Sequence, residues 1–261
     1  ATEAAIKKKV VLTVREALQR YSDEVSIHKK TAKKERQRIV YLKEALPNVD
    51  WPLHAYKSEF IKQWEDSVMK RSIRPLKASS VLRDYSLLSA FFNWCKLDKR
   101  WIDFNPVEEI RKPKKPDHRE RRIEEHELEK MLAAFKYKPG MIPHTKMQEV
   151  ALIWLIALAT GMRSGEITNC LPQDVVLFGR YIQLSDTKNG SARKVPLDDF
   201  ALHLWSLALK IDRKGSPKVF TVSDATRDSL FRKARTQAGL EHADLTFHDS
   251  RHEAASLMAR R

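Results

Sequence analysis

Cysteine is scarce. Cys95 and Cys170 are the only two in 261 residues. They lie far apart and form neither a metal-ligand spacing nor a disulfide framework, so a stapled secreted scaffold is excluded and a reducing, cytoplasmic setting is expected. Long apolar runs are lacking too. The longest, Val150 to Ala159, has ten residues, too few to cross a bilayer. Ala1 to Lys9 is basic but has no apolar core segment, so it does not read as a secretory leader. The first residue is Ala, as expected of a processed or excised piece. No carboxylate cluster suggests a metal site, and no metal or cofactor is expected. Internal repeats and low-complexity tracts are also lacking.

Acidic residues are in deficit. Lys+Arg number 49 against 34 Asp+Glu, a net charge of +15. Hydrophobic content of 42% is too high for a disordered basic tail. A folded, strongly basic chain points to a polyanionic partner, nucleic acid before an acidic membrane surface. Membrane binding is the weaker fit, because no strongly amphipathic helix with exposed Trp or Phe backs the basic faces. The excess is uneven: residues 1–115 hold 26 basic and 15 acidic residues, residues 116–261 hold 23 and 19. The first part reads as the electrostatic grip and the second as the place for chemistry.

The length predicts two compact units. The basic stretch 111–122, with Pro113 and Pro116, reads as the linker between a helical domain at 1–110 and a second domain at 123–261. Upstream, the periodicity predicts helices at 10–21, 31–46 (stopped by Pro47), 52–69 and one capped by Ser79 or Ser80. Downstream, Glu125 to Phe135 and Met147 to Thr160 read as helices, the second apolar nearly all round and ended by Gly161. Val175 to Phe178, Tyr181 to Leu184 and Arg193 to Leu197 read as strands. Asn189-Gly190 is a hairpin-turn signal between the last two. Further helices are predicted at 198–212, 223–238 and 246–260. The fold class is therefore mainly α: a helical bundle, then an α-rich domain with a small antiparallel sheet.

Four features carry chemical meaning together. Arg163 follows the buried helix and its glycine break, with Glu166 three residues on to brace it. Lys188 sits at the predicted hairpin tip, an ammonium able to reach into a groove. His248 and Arg251 share a face if their turn is helical, and Arg with His suits phosphate. Lys30, Lys33, Lys34 and Arg38 follow helical spacing in the first domain. Taken singly, each also reads as something ordinary: a surface ion pair, a turn lysine, a polar helix start, a solvated face.

The order Arg, Lys, His-x-x-Arg resembles the tyrosine recombinase (phage integrase) family. The matching stretches are 159–167, 187–190 with 193–197, and 245–255. The first domain resembles the family's core-binding domain through Leu87 to Trp94 and Asn105-Pro106. The resemblance implies Arg163 and Arg251 clamping a scissile phosphate, Lys188 as general acid for the leaving 5′-oxygen, His248 assisting, and Glu166 orienting Arg163. It implies metal-free, ATP-free strand cleavage and rejoining through a 3′-phosphotyrosine. The implied partners are duplex DNA with a specific core site and, in the active form, a homotetramer on synapsed DNA, in a cytoplasmic, nucleoid-associated setting. Lys30, Lys33, Lys34, Arg38, Lys77 and Arg83 are the candidate DNA contacts. Two departures stand out. Ser250 occupies a position that is usually Leu in the family. And none of the six tyrosines (21, 41, 56, 85, 137 and 181) follows Arg251, so a C-terminally truncated chain, inactive for cleavage by itself, is expected. The alternatives are a non-catalytic sequence-specific DNA-binding protein on the same fold and a type IB topoisomerase-like enzyme.

Overall fold

A computed structural model describes residues 12–117, 121–184 and 192–258. The chain divides into two compact units, 1–118 and 119–261.

The first unit is helical. Helix α1 (Val14–Glu24) starts at a capping box in which the Thr13 hydroxyl accepts from the Glu16 N–H and Glu16 accepts from the Thr13 N–H. Its core face is Val14, Ala17, Leu18 and Tyr21, the three-and-four spacing of an amphipathic helix. Helix α2 (Ala32–Ala45) ends just before Pro47. Helix α3 (Ser58–Lys70) begins six residues later than the sequence suggests. Leu53–Ala55 instead form a separate tight turn, and the buried Tyr56 donates its hydroxyl to the Pro47 carbonyl at 2.9 Å. Helix α4 (Ala78–Asn93) turns helical at Ala78, so Ser79 and Ser80 lie within its first turn and neither is the cap. The core is aromatic, with Tyr21, Tyr56, Trp64, Tyr85, Phe91 and Phe92 all buried. Asn105 ties the following loop to α4, donating to Asn93 Oδ1 at 2.9 Å and accepting from the Val107 N–H at 2.9 Å.

One polar link crosses this unit. The carboxylate of Asp84 on α4 is fully buried, and Arg38 on α2 meets both of its oxygens. Arg38 also lies over the Tyr41 ring, 4.7 Å from its centroid.

The second unit is built around helix α6 (Lys146–Thr160), which is buried along almost its whole length. Helix α5 (Glu125–Ala134) precedes it and the short helix α7 (Ser164–Thr168) follows. Three antiparallel strands come next in the order β1 (Val175–Val176), β2 (Tyr181–Leu184), β3 (Arg193–Pro196). Strand β1 is shorter than its apolar run, because the Arg180 N–H closes a turn onto the Leu177 carbonyl. That turn leaves Phe178 fully exposed. Ile182, Leu184 and Val195 face the core. The Asn189-Gly190 turn lies outside the described residues. Helices α8 (Asp199–Ala208), α9 (Asp224–Gln237) and α10 (Asp249–Met258) complete the unit, and α8 and α9 are capped by the side chains of Asp198 and Ser223. Arg121 and Arg122 are anchored here. Arg122 meets both oxygens of Glu253 at 2.7 and 2.6 Å, and Arg121 donates to the Ala243 carbonyl at 2.9 Å.

Both cysteines are buried, and burial pushes each thiol up to about 12, so neither is a nucleophile at neutral pH. No helix among the described residues is long and apolar enough to cross a membrane.

Removing Arg38 strands the buried Asp84 carboxylate. Arg38→Ala should cost about 3 kcal/mol in urea denaturation, and adding Asp84→Asn should recover more than half of that loss. An unchanged midpoint would mean that the pair is not a structural anchor.

Candidate active site

The site begins where α6 ends. Thr160 turns its hydroxyl back onto the Ile156 carbonyl at 2.6 Å, and Gly161 takes a left-handed conformation, φ 64°, that stops the helix. Met162 is buried, which pins the turn. Arg163 follows in extended conformation at the start of α7. Glu166, one turn on, accepts from the Arg163 N–H at 2.8 Å and from its guanidinium at 2.9 Å. A single carboxylate therefore fixes both the backbone and the side chain of Arg163. The carboxylate side chain is only 9% exposed, whereas the Arg163 side chain is 33% exposed, so the charge remains open to a ligand.

Arg251 comes from the first turns of α10 and donates to the Gly161 carbonyl. That carbonyl belongs to the turn ending α6, where orphan acceptors and the negative end of the helix dipole favour a guanidinium. A Cβ on Gly161 would lie 3.6 Å from that of Ala254, so α10 passes directly against the turn. Ser250 is buried and donates its hydroxyl to the Phe247 carbonyl at 2.6 Å. It satisfies itself locally and reaches neither arginine.

His248 precedes α10, and its ring lies 5.1 Å from that of His252, edge to face. Arg163, Glu166, His248 and Arg251 line one cleft of about 840 Å³, together with Asp174 and Gln183. Burial, then the neighbouring His252, Arg251 and Arg163 charges, hold His248 below its ordinary value, against the opposing pull of Asp249. Burial and then the charges of Arg163 and Arg193 also lower Arg251, although a guanidinium stays protonated regardless. Burial opposes ionisation of Glu166. The hydrogen bonds from Arg163 and the charges of Arg193 and Arg163 outweigh it, and the carboxyl sits below its ordinary value.

Of the catalytic candidates read from the sequence, Arg163, His248 and Arg251 thus share a cleft, with Glu166 braced against the first. Lys188 lies outside the described residues. In the other unit, Lys30, Lys33, Lys34, Lys77 and Arg83 are exposed. Arg83 borders a shallow groove with Ser79, Ser86, Lys112 and Lys115. Arg38 differs from them, since its guanidinium is engaged by Asp84. Among the described residues no three His, Cys, Asp or Glu side chains cluster as a metal site.

The sequence reading missed Arg193 as a site residue. Its guanidinium donates to Glu166 at 2.8 Å, on the oxygen that also receives the Arg163 N–H. Alternation from the buried Val195 and Leu197 places Arg193 on the inward row of β3. An inward arginine needs a partner, and that was the available signal.

Residues 121–261 match the phage integrase family. The chain belongs to that family. A Haemophilus influenzae protein of the integrase/recombinase group is 31% identical over 244 residues, covering 93% of this chain and 65% of its own length. The shufflon-specific DNA recombinase of Escherichia coli is 30% identical over 248 residues, covering 94% of this chain and 61% of its own length. This family member therefore spans less than two thirds of either relative. A lambda integrase tetramer solved on a Holliday junction shares the fold, with a TM-score of 0.74 and 22% identity over 98% of this chain and 76% of that one.

His248 should titrate below the ordinary value of about 6.5 in histidine-resolved NMR. Arg163→Ala removes a repelling positive charge, so the midpoint should move up. A midpoint that stays still would separate the two side chains electrostatically.

Proposed function

We propose that the cleft activates a DNA phosphodiester for site-specific strand cleavage and rejoining through a 3′-phosphotyrosine. The observation that carries this is the convergence of Arg163 and Arg251 on one cleft, although they come from different helices and lie far apart in sequence. Transesterification at phosphorus builds negative charge on the non-bridging oxygens. Guanidiniums fixed in advance favour that charge over the ground state, which lowers the barrier. Glu166 holds Arg163 at its post. His248, kept neutral, is able to take or relay a proton at the attacking hydroxyl. Lys188 is proposed as the acid that protonates the leaving 5′-oxygen, a role typically contributing ~10²–10⁴-fold. The nucleophile is proposed to be a tyrosine, and none follows Tyr181 in these residues.

Residues 1–110 are proposed as the core DNA-binding domain and 111–122 as the linker, with duplex DNA as partner and a homotetramer on synapsed DNA as the active assembly. Lys30, Lys33, Lys34, Lys77 and Arg83 are the proposed phosphate contacts. Arg38 is better explained as a structural anchor, given its pairing with Asp84.

The test supplies its own nucleophile. A duplex in which one strand ends in a 3′-phosphate esterified with p-nitrophenol, in place of the 5′-linked nucleoside, is incubated with the chain and hydrogen peroxide as the attacking nucleophile, and nitrophenolate release is followed. Arg163→Ala and Arg251→Ala should each cut the rate at least ~10²-fold while leaving duplex affinity within about tenfold. Lys188→Ala should leave it nearly unchanged, because nitrophenolate departs without a proton. Duplex binding with no acceleration by the unsubstituted chain would favour a non-catalytic DNA-binding role.

A further inference from the structure

The cleft poses an electrostatic problem. Its described lining holds two guanidiniums, Arg163 and Arg251, and two carboxylates, Glu166 and Asp174. With His248 neutral these cancel. Two fixed guanidiniums offset by two fixed carboxylates give an oxyanion little net field of their own, and it gains most from a net positive one. Glu166 makes the difficulty sharper. It lies against the Arg163 guanidinium at 2.9 Å, so the contact that fixes this cation also offsets its charge.

Arg193 alters the balance. Its guanidinium meets Glu166 at 2.8 Å from the sheet side and is about as exposed as that of Arg163, 35% against 33%. Each Glu166 oxygen then faces one guanidinium: Oε1 faces Arg163 and Oε2 faces Arg193. The site has a frame for this arrangement. Arg193 pairs with Leu184 across the sheet, and Leu184 itself lines the cleft.

We propose that Arg193 is a charge-compensating positioning residue: by sharing Glu166, it lets that carboxylate fix Arg163 without neutralising it and leaves the cleft net positive toward an oxyanion. The inference rests on the phosphodiester reading above and deepens it. Arg193 acts through Glu166 and need not touch the ligand. The influence of Arg193 and Glu166 on Arg251, with opposite signs, places all four charged groups in one electrostatic cluster.

A double-mutant cycle tests this on the full chain, with orthovanadate as the oxyanion probe and 51V NMR as the readout. Arg193→Gln should weaken vanadate binding about tenfold. Arg193→Gln combined with Glu166→Gln removes one charge of each sign and should return affinity to within about threefold of the unsubstituted chain. Arg193→Lys keeps the charge and should retain most of the affinity. It also carries the test if Arg193→Gln melts early. An equal loss from Arg193→Gln with Glu166 present or replaced would mean direct contact with the anion, and would overturn the proposal. So would no loss at all while Arg163→Gln and Arg251→Gln abolish binding, since Arg193 would then be a strand tie only. Both results leave the phosphodiester reading standing. No vanadate binding by the unsubstituted chain, or binding indifferent to Arg163→Gln and Arg251→Gln, would overturn both.

Discussion

The turn after Thr160 sets the position of both guanidiniums that line the cleft, Arg163 and Arg251. Helix α6 is buried along almost its whole length, so its end cannot move without disturbing the core. Gly161 stops the helix in a left-handed conformation and presents its carbonyl to Arg251. Two residues later, Arg163 leaves the same turn in an extended conformation and is caught by Glu166. The two guanidiniums are thus referenced to one rigid point, although 88 positions separate them in the chain. Fixing cationic groups before a ligand arrives avoids reorganisation at the moment of reaction.

Crowded cations are unfavourable without an anion between them. Burial first, and then the neighbouring positive charges, lower both His248 and Arg251. The carboxylate of Glu166 relieves part of this crowding while remaining nearly buried itself, which keeps water from competing for its hydrogen bonds. The other unit carries a similar device for a different purpose. There Asp84 is fully buried and Arg38 answers it, and the result is an anchor between helices. The two pairs differ in exposure and surroundings. Arg163 opens onto a cleft with a second guanidinium and an imidazole, whereas Arg38 packs on Tyr41.

Much of this was legible in the residues. The apolar run 150–159, the glycine after it and the His-x-x-Arg spacing are local signals, and they place α6, its end and the start of α10. The three strands follow from β-branched and apolar runs broken by Gly179 and Asn189-Gly190. What escaped were decisions made by tertiary contacts. Lys34 and Arg38 look alike in sequence, and only the buried Asp84, 46 positions away, separates a solvated lysine from a structural arginine. Arg193 was hidden for the same reason, since its partner lies 27 positions upstream on another element. Helix α3 began late because Tyr56 is drawn inward to the Pro47 carbonyl, a contact that no periodicity shows.

Arg163 and Arg251 are proposed to hold a single tetrahedral or bipyramidal oxyanion between them. Crystals soaked in tungstate and measured at a wavelength where tungsten scatters anomalously test this most directly. One strong peak is expected in the cleft, with oxygens at ~3 Å from both guanidiniums. A peak bound to only one of them, or a cleft left empty while tungstate settles elsewhere on the basic surface, would contradict it.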